Sequence, residues 1–122
     1  MLFRSGHADA AVAAALQMRN ALETLNQERT AQGKVAFGHG IGIHSGSFLA
    51  GNSGSEEQSA YCLIGNTVNV AARIQALTRE IKCDILVSEE TVKQMTDSPE
   101  MEQQPSRQVK GYSKPITVYR IL

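Results

Sequence analysis

Along the first quarter of the chain, apolar side chains recur every three or four residues. Ala11, Ala15, Met18, Leu22 and Leu25 share one stripe within a stretch from about His7 to Thr30 that is rich in Ala, Leu, Met, Gln and Glu. Such residues lose little freedom in a helix, and the spacing predicts one amphipathic helix. Ala-Gln-Gly-Lys ends it, with Gly33 as the C-cap. The period then drops to two. Val35, Phe37, Ile41 and Ile43 occupy one phase, and Ala36, Gly38, Gly40 and Gly42 the other. That pattern predicts a strand from Val35 to Gly46 with one bulky face and one nearly bare face. Glycines weaken a strand, so another backbone or a ligand comes close on the bare side. Tight packing of a helix on the sheet is the simpler account, and a substrate wall is the functional one.

Ser45-Gly46 turns the chain, Phe48 to Gly51 continues as a short strand, and Asn52 to Gln58 reads as a polar loop. Ala60 to Ile64 is a strand that pairs back as a hairpin. Asn66 then caps a helix from Thr67 to about Arg79, with Val70, Ile74 and Leu77 on one side. Cys83 to Ser88 forms a compact strand, and Ser88 caps a short helix containing Val92 and Met95. Thr96 to Ser106 reads as a loop. The end is a hairpin, from Arg107 to Gly111, through Tyr112-Ser113-Lys114-Pro115, into the alternating run Ile116 to Leu122. Helices and strands in this order make an α+β sheet layered with helices.

Composition narrows the function classes. A chain of 122 residues fits one domain, and such a chain buries roughly two-thirds of its unfolded surface. Twelve basic and twelve acidic side chains cancel, and Lys and Arg are scattered. No net field draws the chain to nucleic acid or to an acidic membrane. No apolar stretch reaches the 18 residues of a membrane span, and the opening MLFRSGHADA lacks the apolar centre of a signal peptide. Cys62 and Cys83 both lie in apolar runs, which reads as two reduced, buried thiols in a cytoplasmic protein. His7, His39 and His44 have no zinc-ligand spacing. Gly51 and Gly54 lead into Ser-Glu-Glu, without the lysine and hydroxyl of a phosphate loop.

The chemistry concentrates on the second helix. Asn66, Asn69 and Arg73 stand three and four residues apart and share one face. At 3.6 residues per turn that face lies roughly 100° from the Val70/Ile74/Leu77 stripe. The bland account is a cap followed by a solvated edge. Yet Val68, Val70, Ala71 and Ala72 around it are small or apolar, which makes the polar face narrow. An amide beside a planar, permanently charged fork suits a phosphate oxygen or a ribose.

GIHSG, AYCLIGNTVNVAAR, ILVSEET and VKGYSKPITVY, taken together, resemble the C-terminal part of a class III nucleotide cyclase catalytic domain, of the adenylate and guanylate cyclase family. The similarity runs from Leu2 to Leu122, and IGNTVNVAAR is its most specific segment. It implies a ferredoxin-like α+β domain, truncated at its N-terminal side, with residues 1–122 as the C-terminal portion of one catalytic domain. Such domains work as head-to-tail dimers with the active sites at the interface. By resemblance, Asn69 orients the ribose, Arg73 stabilises charge on the phosphate in the transition state, and Lys110 holds the terminal phosphates. Cys62 falls where the family reads the purine. Cysteine there is more typical of guanylate cyclases, whereas bacterial-looking relatives more often make cyclic AMP. The substrate stays open between ATP and GTP, with a lean to ATP.

The family binds two Mg or Mn ions through two aspartates on strands that precede this region, and no segment of this sequence matches them. Asp9, Asp84 and Asp97 stand outside that motif. The expectation is a chain that binds no metal and is inactive alone, yet able to complete a site on an intact partner. A non-catalytic cyclase-like module for dimerisation or nucleotide sensing is the alternative. Without the leading strands, the Phe37/Ile41/Ile43 face should be uncovered, which favours a dimer or higher oligomer.

Overall fold

A computed structural model describes residues 6–46, 49–53, 60–64, 66–109 and 114–122, with 49–53 and 60–64 described as backbone. Helix α1 (His7–Ala31) leads to strand β1 (Ile41–Ile43), the hairpin strands β2 (Leu49–Ser53) and β3 (Ala60–Ile64), and helix α2 (Asn66–Ile81). Strand β4 (Ile85–Ser88), the single turn α3 (Glu89–Val92), and strands β5 (Met101–Gln103) and β6 (Val118–Ile121) complete the order. Four strands form a sheet in the order β1-β4-β6-β5, in which β1 runs parallel to β4 and the other neighbours are antiparallel. The parallel pair needs a crossover, and α2 lies in that connection. Strands β2 and β3 pair as their own antiparallel ribbon, placing Gly51 opposite Cys62.

Strand β4 explains the layering. All four of its residues are buried, as a continuous apolar run covered on both faces should be. Leu86 joins Val118, Ile116 and Val109 against Val70, Ile74 and Leu77 of α2. Ile85 and Val87 point the other way, with Ile121, against Val12 and Ala15 of α1. The two helices therefore cover opposite faces of the sheet. Each buried aliphatic side chain stabilises the fold by about 1.5–3 kcal/mol relative to exposure.

The bare face of β1 is where α2 sits. A Cβ added at Gly42 would fall 2.8 Å from Gln75 Cα and 3.0 Å from Ala71 O, and one at Gly40 would meet the Thr78 hydroxyl. At Gly38 nothing lies within 4 Å. Close helix packing thus accounts for Gly40 and Gly42, and no substrate wall is needed to explain them.

Three expectations change. The stripe on α1 is shifted: Ala8, Val12 and Ala15 are buried, whereas Ala11, Met18 and Leu25 are exposed. The run HADAAVAAA is so uniformly small that it marks no phase, and only the first half of α1 rests on the sheet. Residues 35–40 do not form strand. Arg29 and Asn26 of α1 capture that backbone instead: Arg29 Nε donates to Val35 O at 2.8 Å, and Asn26 exchanges bonds with both Phe37 main-chain groups. The Arg29 guanidinium stacks 3.9 Å from the Phe37 ring centroid. Val35 and Phe37 are exposed, while Ile41 and Ile43 pack against the α1-side core. Strand β1 then pairs with β4, and its other edge has no neighbour among the described residues. Finally, Met101–Gln103 is an edge strand inside the expected loop, too short and too polar to show alternation.

Other details hold. Gly33, at φ 75°, closes α1, with Gly33 N–H donating to Thr30 O and Lys34 N–H to Arg29 O. Ser88 Oγ accepts from Thr91 N at 3.3 Å. The C-terminal hairpin is joined by reciprocal bonds between Arg107 and Ile116, and Lys110 to Ser113 lie outside the described residues.

Candidate active site

Helix α2 carries the candidate chemistry. Its buried side is Val70, Ile74, Leu77 and Thr78, and a flanking line is exposed at Asn66, Asn69, Arg73, Ala76 and Glu80. These five are separated by three, four, three and four residues, a straight line along one face. Asn69 and Arg73 thus stand together on the outside of the domain, at an open surface of the single chain. Asn66 is the first helical residue, and position 65, where the cap would fall, is outside the described residues. Below Arg73 the surface dips into a cleft of about 310 Å³ lined by Ala76, Leu77, Glu80, Arg107, Gln108 and Val109.

The remaining candidates are placed only in part. Cys62 lies on β3 in register with Gly51, and its side chain is outside the described residues. Lys110 is also outside them, though Val109 before it is anchored in the core beside Leu77. Strand β3 precedes α2 in the chain, and the Arg107–Val109 segment lines the cleft beside Arg73 and Leu77.

Two polar clusters hold the frame around this face. Arg19 reaches from α1 to grip Asp84 at the foot of β4, Nε to Oδ2 and Nη2 to Oδ1, both at 2.7 Å. It also donates to the Ile121 and Leu122 carbonyls. Burial pushes the Asp84 carboxyl up, but the Arg19 fork outweighs it and holds the group below the usual carboxylate range. At the far end of β1, His44 Nδ1 lies 2.8 Å from Ser88 Oγ, and Ser45 Oγ lies 2.8 Å from Thr91 Oγ1. Burial lowers the His44 pKa, with Glu90 opposing that shift from 3.8 Å. Gly46, the next residue, lies against Thr67 at the start of α2. The end of the GIHSG segment therefore packs against the first turn of α2, a contact that its strand-like pattern did not announce.

The described aspartates Asp84 and Asp9 are engaged within the fold. Asp84 is occupied by Arg19, and Asp9 accepts from Thr96 N–H, Thr96 Oγ1 and Asp97 N–H. Those bonds, led by the Thr96 hydroxyl, lower the Asp9 pKa. Among the described residues no three His, Cys, Asp or Glu side chains converge. Among the described residues, the donor set does not fit the two-cation centre that the resemblance implies. Likewise, no helix among the described residues is long and apolar enough to cross a membrane.

With Asn69 and Arg73 on one exposed face, the sequence matches the family described as adenylate and guanylate cyclase catalytic domain over residues 3–122. The chain belongs to that family. It is 35% identical over 127 residues to an adenylate cyclase of Anabaena cylindrica, covering 98% of this chain and 25% of that protein. It is 30% identical over 116 residues to adenylate cyclase 1 of Rhizobium meliloti, covering 95% of this chain and 17% of that one. This cyclase segment thus spans a quarter or less of both relatives. Among solved structures, the guanylyl cyclase Cya2 superposes with a TM-score of 0.83 at 29% identity, over 97% of this chain and 59% of its own. The adenylyl cyclase CyaB from P. aeruginosa gives 0.78 at 30% identity, over 94% and 58%. The mixed α+β fold with its four-stranded sheet is therefore a cyclase catalytic fold.

Proposed function

We propose that the chain is part of a nucleotide cyclase that converts ATP or GTP to a 3′,5′-cyclic nucleotide and pyrophosphate, and that it supplies one wall of a site completed by a partner protomer. The observation that carries this reading is the pairing of Asn69 and Arg73 on the exposed stripe of α2, in a chain of this family. Each side chain has a task suited to its chemistry. The Asn69 amide can both donate to and accept from the ribose, fixing the sugar so that its 3′ oxygen faces the α-phosphorus. As that oxygen attacks and sheds its proton, and pyrophosphate leaves, negative charge grows on the phosphate oxygens. A guanidinium preplaced at Arg73 stabilises that charge more in the transition state than in the ground state. Lys110 takes the terminal phosphates, and Cys62 meets the edge of the purine.

Mg or Mn ions, which neutralise triphosphate charge in the family, would have to be held by carboxylates beyond those described. On this reading the isolated chain makes no product, and it acts in the cytoplasm as a dimer or larger assembly, with the Asn69/Arg73 face covered by the partner. The test is cyclic-nucleotide formation with manganese, supplying ATP and GTP separately, by the longer protein and by this chain in parallel. Product from the longer protein alone supports a shared site and identifies the base. Absence of product from both overturns the reading in favour of a dimerisation or nucleotide-sensing module.

A further inference from the structure

The exposed stripe of α2 does not end at Arg73. It continues through Ala76 to Glu80, and there Glu80 Oε2 lies 3.5 Å from Arg107 Nη1. Arg107 stands three residues before Lys110, and its main chain is fixed by reciprocal bonds to Ile116 at 3.0 and 2.9 Å. From that anchored position its side chain lines the same cleft as Arg73.

The charges lining this cleft are two guanidinium groups and one carboxylate, so the cleft is net positive. The carboxylate is loosely held. The Glu80 side chain is 70% exposed and Arg107 only 28%, and 3.5 Å is longer than the roughly 2.7–2.9 Å of a strong charge-assisted bond. Exposed pairs of this kind contribute little and separate easily. Arg107 Nε, in contrast, is buried and lacks a hydrogen-bond partner among the described residues. A buried, unpaired N–H is costly unless something supplies an acceptor. Phosphate oxygens are acceptors that suit a guanidinium fork.

We infer that Arg107 is a second anion contact of the nucleotide site, binding an oxygen of the terminal phosphates or of product pyrophosphate, with Glu80 as the placeholder that the anion displaces. This rests on the reading of Asn69, Arg73 and Lys110 as the nucleotide wall. It carries an asymmetry that a purely structural ion pair does not. Removing the Arg107 charge weakens anion binding, whereas removing the Glu80 charge strengthens it, because the competing carboxylate is gone.

The test uses inorganic pyrophosphate titrated into this chain, read by the arginine Nε–H resonances and by calorimetry. Arg73 and Arg107 are expected to shift together and saturably. Arg107→Gln should weaken binding roughly tenfold or more, as for loss of one charge-assisted hydrogen bond, and Glu80→Gln should tighten it. Arg107→Lys, which keeps charge and fold, should fall between Arg107→Gln and the parent chain, with thermal melts excluding unfolding. A shift at Arg73 with Arg107 static, or equal weakening by Glu80→Gln and Arg107→Gln, overturns the inference and leaves the function standing. If neither arginine moves, the inference falls, whereas the phosphate-wall reading is decided by cyclic-nucleotide formation in the partnered protein.

Discussion

Arg73 is the residue on which the proposed chemistry turns. It is exposed, one turn beyond Asn69, and nothing in the core depends on it. Its replacement should therefore separate catalysis from stability. In a partnered assembly that forms product, Arg73→Ala is expected to lower kcat about 100- to 1,000-fold, the usual cost of one transition-state donor, while leaving the melting temperature unchanged. Steady-state rates with ATP and GTP, beside a thermal melt, check both halves. A matching loss of stability would show that Arg73 is structural. Arg107 lies at the same scale yet escaped notice in the sequence. The signal was available, since Glu80 prolongs the three-and-four spacing from Asn66, but its partner sits 27 positions later on a segment whose pairing only the fold reveals.

At the scale of elements, the joint between α2 and β1 decides where the candidate residues stand. Gly40 and Gly42 leave the sheet face bare, and the α2 backbone at Ala71 and Gln75 rests against it. Gly42→Val puts a branched side chain against main chain that cannot move aside. It should cost about 3 kcal/mol, at the upper end for overpacking, and displace Asn69 and Arg73 together. Gly38→Ala, where nothing lies within 4 Å, should stay within about 0.5 kcal/mol. Urea unfolding of the two variants checks the contrast, and equal midpoints would remove close packing as the reason for the glycines. Helix α2 and strand β4 were legible because Val70, Ile74 and Leu77 mark a phase and Ile85-Leu86-Val87 is a compact apolar run. The phase of α1 was not, since its alanines fit any face. The segment 35–40 alternates like a strand, but side chains of α1 satisfy its backbone first.

For the whole molecule, acid stability follows from three groups. Asp9 and Asp84 have folded pKa values below their ordinary 3.8, so the unfolded chain takes up their protons first as pH falls. His44, lowered from 6.5 by burial, behaves likewise for a different reason: the fold disfavours its charged form. In all three cases the unfolded state binds more protons, and stability falls with pH. The decline should begin below about pH 6.5 through His44 and steepen below about pH 4 through the carboxylates. Denaturation midpoints across pH 3–8 test this, and in His44→Asn the upper step should vanish while the lower remains. A single step near pH 4 in the parent chain would exclude His44. The seat of α2 on bare glycine backbone bears on tolerance to change. Asn69 and Arg73 take their position from the main-chain contact at Gly42 and from the Val70, Ile74 and Leu77 packing on the α2 face of the sheet. Substitutions on the α1 face of the sheet, where Ile85, Val87 and Ile121 pack, can therefore drift in size and shape without shifting the candidate site, whereas a single methyl on Gly42 cannot be absorbed.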